Sequence, residues 1–312
     1  MSKPFDLAGR RVYVAGHGGM VGSALMRRLA REDCEILTAP RSLDLTEQAD
    51  TRSWFARERP DVVFLAAAKV GGIAANLSQP VAFLYDNLMI SANVIDAAAR
   101  CGARKLINLG SSCVYPREAA QPITSNALLT GPLEPTNRWY ALAKIAGILL
   151  AEAHAYESGA NFISVMPCNL YGPGDNFDLE TSHVLPALMR KAHEAKQAKA
   201  DRLEVWGSGR PLREFLHVDD CADGLVTIAQ GVSAPALVNL GSGEEISIAD
   251  LARLVTRIVG FDGELAFDAS RPDGTPRKLM DTSAMKALEW SPSISLEDGI
   301  ADAYRWFLAH KA

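Results

Sequence analysis

An α/β fold built on a doubly wound parallel sheet is what this sequence predicts, and three observations predict it. Short apolar, β-rich runs alternate with longer helix-patterned runs from Arg11 to about Pro167, the order expected of a sheet covered by helices on both faces. The strand candidates are apolar at nearly every position instead of every second one, as strands buried on both faces require. A glycine-rich turn separates the first strand from the first helix, where Rossmann-type folds bring backbone N–H groups to a pyrophosphate.

Taken in order, the predicted strands are residues 11–15, 35–38, 62–66, 105–109 and 162–166, each followed by enough chain for a crossover helix. Helix-patterned runs fill those gaps at residues 20–31, 48–59, 81–100 and 140–157, and Gly159 stands where a left-handed C-cap would terminate the last one. Beyond Pro167 the rhythm breaks into the turn-rich stretches YGPGDNF, WGSGRP and SRPDGTPRK, separated by helical patterns at residues 183–199, 219–230 and 247–259. This predicts a dinucleotide-binding domain over residues 1–170, with 214–243 returning to it. A smaller C-terminal substrate-binding lobe would then comprise residues 171–213 and 244–312.

Composition excludes several function classes. The 312 residues carry a net charge of −5 without a basic block, which removes the electrostatic footprint of a nucleic-acid binder. No uncharged apolar run approaches the length of a bilayer span, and the N-terminus MSKPFDLAGRR has no apolar core of a leader peptide. The five cysteines (Cys34, Cys101, Cys113, Cys168 and Cys221) are odd in number, scattered and without a CxxC pair, which argues against a disulfide framework or a metal site. A soluble, cytoplasmic protein is expected.

The glycine turn reads Gly16-His17-Gly18-Gly19-Met20-Val21-Gly22. Its GxxGxxG spacing, between strand and helix, points to a nicotinamide dinucleotide. An NAD site places an acidic residue at the end of the second strand to accept the ribose 2′-hydroxyl. Here Leu37-Thr38-Ala39-Pro40-Arg41 offers a cation and no carboxylate, so NADP(H) is the expected cofactor, with Arg41 on the 2′-phosphate. The missing carboxylate also argues against an NAD-retaining epimerase or dehydratase. Asp44 and Leu45 follow, either bordering the adenine or, for Asp44, capping a helix ahead of Thr46.

Tyr140 and Lys144 are four residues apart, hence on one helical face, and Ser111 and Ser112 follow the fourth strand. A phenol donates a proton to a carbonyl oxygen more readily beside a cation that favours its ionised form, and Lys144 is placed to be that cation and to hold the nicotinamide ribose. Ser111 would hydrogen-bond the same oxygen as charge develops. Alone, YxxxK is an ordinary amphipathic helix face; with the glycine turn and the serines it reads as a ketone reductase site. An unperturbed thiol and imidazole titrate near ~8.5 and ~6.5, so Cys113, two residues after Ser111, and His183 are candidates to carry protons at neutral pH.

The blocks GHGGMVGSA, LAAAKVGGI, GSSCVYP, LEPTNRWYALAK, SVMPCNLYGPGDNF, SHVLPAL, REFLHVDD and RPDGTPRKL span nearly the whole chain. They closely resemble the GDP-L-fucose synthase family within the extended short-chain dehydrogenase/reductases. The resemblance implies a GDP-linked keto-deoxy sugar as substrate, epimerised at two ring carbons and then reduced by NADPH. It implies Cys113 and His183 as the proton carriers, and Lys191, Trp206, Arg213, Asp273 and Lys278 as the nucleotide contacts. It also lines the cofactor cleft with Leu109, Gly110, Ser112, Pro167, Cys168, Asn169 and Leu170, as well as His183. Some relatives carry a basic residue where this chain has Gly18, which leaves more of the 2′-phosphate to Arg41. A related enzyme acting on one carbon or on another sugar fits the same motifs. An idle NADP-binding protein would be expected to lack Tyr140 or Lys144, and both are present. The run Tyr140–Tyr156 is apolar over most of its circumference, more than one sheet face needs. With the helix at 81–100 it is expected to form a homodimer interface of the kind common in this superfamily.

Overall fold

The computed structural model describes residues 5–271 and 273–311. The first half alternates strands and helices as β1 (Arg11–Ala15), α1 (Met20–Leu29), β2 (Glu35–Leu37), α2 (Gln48–Glu58), β3 (Val62–Leu65), α3 (Ile73–Ser78), α4 (Pro80–Cys101), β4 (Lys105–Leu109), α5 (Arg138–Ser158) and β5 (Phe162–Pro167). The second half continues with β6 (Asn169–Tyr171), α6 (Val184–Gln197), β7 (Arg202–Trp206), β8 (Leu212–His217), α7 (Val218–Gly231) and β9 (Ala236–Leu240). It ends with β10 (Glu245–Ser247), α8 (Ile248–Val259), β11 (Glu264–Asp268), β12 (Arg277–Lys278), α9 (Ser283–Ala287) and α10 (Leu296–His310).

The main sheet has six parallel strands in the order β2-β1-β3-β4-β5-β9. Growth of the sheet reverses between β1 and β3, so the loops leaving their C-terminal ends part and leave a crevice, the usual ligand position in open α/β sheets. Strand alternation sorts the core. Val12, Val14, Phe64, Ile107 and Val165 pack on one face with α1 and α7. Tyr13, Ala15, Val63, Leu65, Leu106 and Phe162 pack on the other with Trp54 and Phe55 of α2 and Val94 and Ile95 of α4. Apolar residues at every position are therefore needed, since both faces are covered.

A second core lies in the smaller lobe, where Leu185, Leu188 and Met189 of α6 meet Leu251 and Val255 of α8 and Ile300 and Phe307 of α10. There β8 is the hub, pairing with β6, β10 and β12. Most short strands of this lobe carry no periodic signal of their own; their pairings are long-range. α5 begins two residues before Tyr140, at Arg138, and closes on Gly159 in the left-handed region. α4 begins at Pro80, whose fixed φ suits a first helical turn. Among the described residues no helix is long and apolar enough to cross a membrane.

Candidate functional site

The glycine turn is shaped by close backbone approach. Gly16 has φ +84°, and a Cβ there would lie 2.7 Å from the backbone of Ala67 at the end of β3; a Cβ on Gly22 would overlap the carbonyl oxygen of Gly16. These two glycines let β1, α1 and the loop after β3 meet. Gly18 differs, since a Cβ there meets nothing within 4 Å. Gly19 is the N-cap of α1 and provides no side-chain cap, so the first-turn N–H groups of Met20, Val21 and Gly22 remain for a ligand. Open space ahead of a helix N-terminus suits a dinucleotide diphosphate. His17 flanks this turn, half-buried.

Arg41 is exposed and enters no ion pair among the described residues, which leaves its guanidinium available to an anion. The Asp44 carboxylate caps no helix, since the N-cap of α2 is Glu47 without a side-chain cap; it closes a local turn instead, accepting from the Thr46 backbone N–H at 2.9 Å and the Thr46 hydroxyl at 2.7 Å, and these bonds lower its pKa. Asn93 of α4 then pins the turn by donating to the carbonyls of Leu45 and Thr46.

Lys144 is only 4 % exposed, and its Nζ donates to the Leu109 carbonyl oxygen at 2.7 Å, against the end of β4. Burial pushes the ammonium down to about 8. The Tyr140 ring packs edge-on to Phe83 of α4 and lies 5.8 Å from Lys144 Nζ. Lys144 was expected to favour the ionised phenol. Instead burial raises the Tyr140 phenol, the Cys113 thiol adds to the rise, and a hydrogen bond with Ser111 opposes it. A phenol that keeps its proton suits an acid awaiting a developing oxyanion. Gly110 follows Leu109 with its N–H on the Val165 carbonyl, and a side chain there would crowd Met166 and Val165.

Ser111 opens a short 3-10 turn, Ser112–Val114, by accepting the Cys113 backbone N–H on its hydroxyl at 3.2 Å. Ser112 is buried behind it. The turn presents the Cys113 thiol to Asn137, whose Nδ2 donates to Sγ at 3.1 Å, and to Lys278, whose Nζ lies 3.9 Å from Sγ. Lys278 pairs in register with Arg213 across β12 and β8. Lys278, which the resemblance implied as a nucleotide contact, thus faces the thiol.

His183 is the N-cap residue of α6. Its ring is open to solvent, yet enough protein surrounds it that desolvation lowers its imidazole pKa. The segment before it rests on the loop after β3: Gly72 N–H donates to the Thr181 carbonyl at 2.7 Å, and a side chain on Gly72 would overlap the Ser182 carbonyl oxygen. Phe83, whose ring also packs on Tyr140, approaches the same loop at Gly71.

After β5, Pro167 ends the main-sheet pairing opposite Leu240, and the buried Cys168 has its thiol raised well above the usual range by burial. Asn169 turns its amide to the Glu214 carbonyl at 2.7 Å, and Leu170 pairs with Leu216. In the smaller lobe Trp206 is 49 % exposed, with the Lys191 ammonium and the Arg271 guanidinium each 4.8 Å from its ring centroid. The Asp273 carboxylate is committed to Ser208, accepting from its N–H at 2.7 Å and its hydroxyl at 2.8 Å, and so fixes the turn after Trp206. Arg213 donates to the Leu212 and Asp273 carbonyls, and burial lowers its pKa.

Three residues escaped sequence reasoning. Asn137 lies inside the LEPTNRWYALAK block but has no periodic or spacing signal. Arg271 stands in a turn. Glu214 reads as a strand residue, yet it is fully buried, accepting the Gly243 N–H at 2.7 Å and the Met280 N–H at 2.9 Å. Burial raises its carboxyl to about 7 against these bonds.

Residues 12–241 match the NAD dependent epimerase/dehydratase family. The chain is 55 % identical to the GDP-L-fucose synthase of Sinorhizobium fredii, over 98 % of each chain. Among solved structures it resembles a GDP-6-OMe-4-keto-L-xylo-heptose reductase from C. jejuni, at a TM-score of 0.91 and 35 % identity over 99 % of this chain and 100 % of the other. It also resembles a GDP-L-fucose synthetase from Naegleria fowleri bound to NADP, at a TM-score of 0.90 and 30 % identity over 99 % and 97 %.

Proposed function

Because the chain belongs to the NAD dependent epimerase/dehydratase family, we propose that it converts GDP-4-keto-6-deoxy-D-mannose to GDP-L-fucose with NADPH. Its similarity to GDP-L-fucose synthases runs the length of the chain. Carbons beside a ketone carry acidified protons, so epimerisation needs groups that take a proton from one face of the ring and return it to the other. Cys113 and His183 fill these roles. Tyr140 then donates its proton to the C4 oxygen, Ser111 hydrogen-bonds that oxygen, and Lys144 holds the ribose. Bound NADPH supplies the hydride for the ketone carbon, with its diphosphate at the α1 N-terminus and its 2′-phosphate on Arg41. Lys191, Trp206, Arg271 and Arg213 take the guanosine diphosphate end of the substrate.

The observation that carries this reading is one turn after β4 that offers both the Ser111 hydroxyl and the Cys113 thiol beside Tyr140. The test is turnover of GDP-4-keto-6-deoxymannose and NADPH in deuterated water, with the product examined by NMR. Deuterium at C3 and C5 with NADPH consumed is expected. Label at one carbon favours the second reading, a related GDP-keto-sugar reductase, which the likeness to the heptose reductase supports. No turnover of any GDP-keto-sugar sinks both.

The protein is further inferred to be a homodimer. Val81 (77 % exposed), Tyr85 and Leu88 on α4 and Leu142, Leu149 and Tyr156 (76 % exposed) on α5 form apolar stripes at helical spacing on two packed helices. All five cysteines are free thiols, which suits a reducing, cytoplasmic setting.

A further inference from the structure

Cys113 sits on a three-residue turn with no long lever of its own, and among the described residues its sulfur has one nearest polar neighbour, with Arg213 also close enough to interact through charge. That neighbour is the Asn137 amide, with Nδ2 at 3.1 Å from Sγ; the Lys278 ammonium lies further away at 3.9 Å. The Asn137 side chain caps nothing, because α5 has no side-chain cap bond, and its Oδ1 is buried without a hydrogen-bond partner. Nothing else among the described residues therefore claims this amide. The backbone of the same residue does bind: its carbonyl accepts the Ala141 N–H at 3.0 Å, within the first turn of the helix that carries Tyr140 and Lys144.

We propose that Asn137 is a positioning residue for Cys113, aiming the sulfur from the first turn of the reducing helix and giving it the N–H donor it needs whenever it bears negative charge. In epimerisation a proton passes from a ring carbon to the sulfur while the C–H electron pair enters the enolate; the sulfur is anionic before that step and neutral after it. A neutral amide stabilises the anionic sulfur without competing for the proton, which a carboxylate or imidazole in its place would do. Two torsions separate the amide from the backbone of α5, so the thiol is held in fixed register with the phenol three residues further along. This role rests on the epimerase reading of Cys113.

The test reads the thiol first without substrate. Full-length wild type, Asn137→Ala and Asn137→Asp are treated with iodoacetamide, and alkylation of the Cys113 peptide is followed by mass spectrometry, with Cys34 as internal control. The aspartate keeps the size of the side chain and a good helix-start residue, but replaces the donor with an anionic oxygen. Cys113 alkylation is expected to slow roughly tenfold in Asn137→Asp and less in Asn137→Ala, the scale of losing a hydrogen bond to a charged group. Cys34 alkylation and NADPH binding should be unchanged, and deuterium incorporation from solvent should slow in step with Cys113. Unchanged Cys113 alkylation in both variants overturns the proposal, as does slowing shared equally by Cys34. If wild type incorporates no deuterium, the epimerase reading falls, while the alkylation rates still report whether Asn137 governs the sulfur.

Discussion

The ammonium of Lys144 donates to the carbonyl oxygen of Leu109 at 2.7 Å, which ties the middle of the reducing helix to the C-terminal end of β4. Burial pushes that ammonium down to about 8. It is charged below that pH and loses its charge above it, so kcat/KM for NADPH-dependent reduction should fall as pH rises through about 8. Initial rates from pH 6 to 10 at constant ionic strength check this. A flat profile to pH 10 means that the charge of Lys144 does not contribute.

Among the described residues Arg41 beyond β2 enters no ion pair, and Gly18 itself brings no basic side chain to the glycine turn. Arg41→Ala should weaken NADPH by roughly 10- to 100-fold, the scale of one arginine–phosphate contact, and leave NADH within about twofold. Fluorescence titration with both cofactors decides it. Equal loss for the two dismisses the phosphate clamp.

Glu214 has its carboxyl raised from 4.5 to about 7 by burial. Between these values the folded chain binds the proton more tightly than the unfolded one, so the carboxyl lowers stability as pH rises through that window, by on the order of 3 kcal/mol. Glu214→Gln cannot titrate. The stability of wild type minus that of the variant, from urea unfolding, should therefore be larger at pH 5 than at pH 7.5. A difference independent of pH shows that the Gly243 and Met280 N–H bonds keep the carboxylate charged throughout.

Leu149 stands mid-stripe on the exposed face of α5. A buried charge there is costly, so Leu149→Glu should convert the proposed dimer to monomer at micromolar concentration while leaving the fold intact by circular dichroism. Light scattering gives the mass. A wild-type monomer removes the dimer proposal outright.

Much of the site was legible because it is local. The glycine turn is a strand-turn-helix unit of seven residues, and Tyr140 and Lys144 share a helix face through four-residue spacing. The first pattern points to a ligand by its place between strand and helix, and the second only in company with that turn and the serines. Asp44 shows the limit even at short range: its two readings differ only by which group its carboxylate meets, and the Thr46 N–H and hydroxyl meet it.

By itself, the sequence determined the parallel sheet and pointed to the glycine turn and to Tyr140 and Lys144, because hydrophobic period and backbone freedom are written in consecutive residues. The tertiary structure decided what surrounds the thiol. Asn137 reaches Cys113 across 24 positions and Lys278 across 165, while Glu214 joins β8 to Met280 across 66. No periodicity encodes such contacts. Those of Lys278 and Glu214 arise only when β8 and β12 are assembled, and that of Asn137 when the start of α5 meets the turn after β4; a proton carrier's behaviour depends on the groups packed around it, not on those that precede it in the chain.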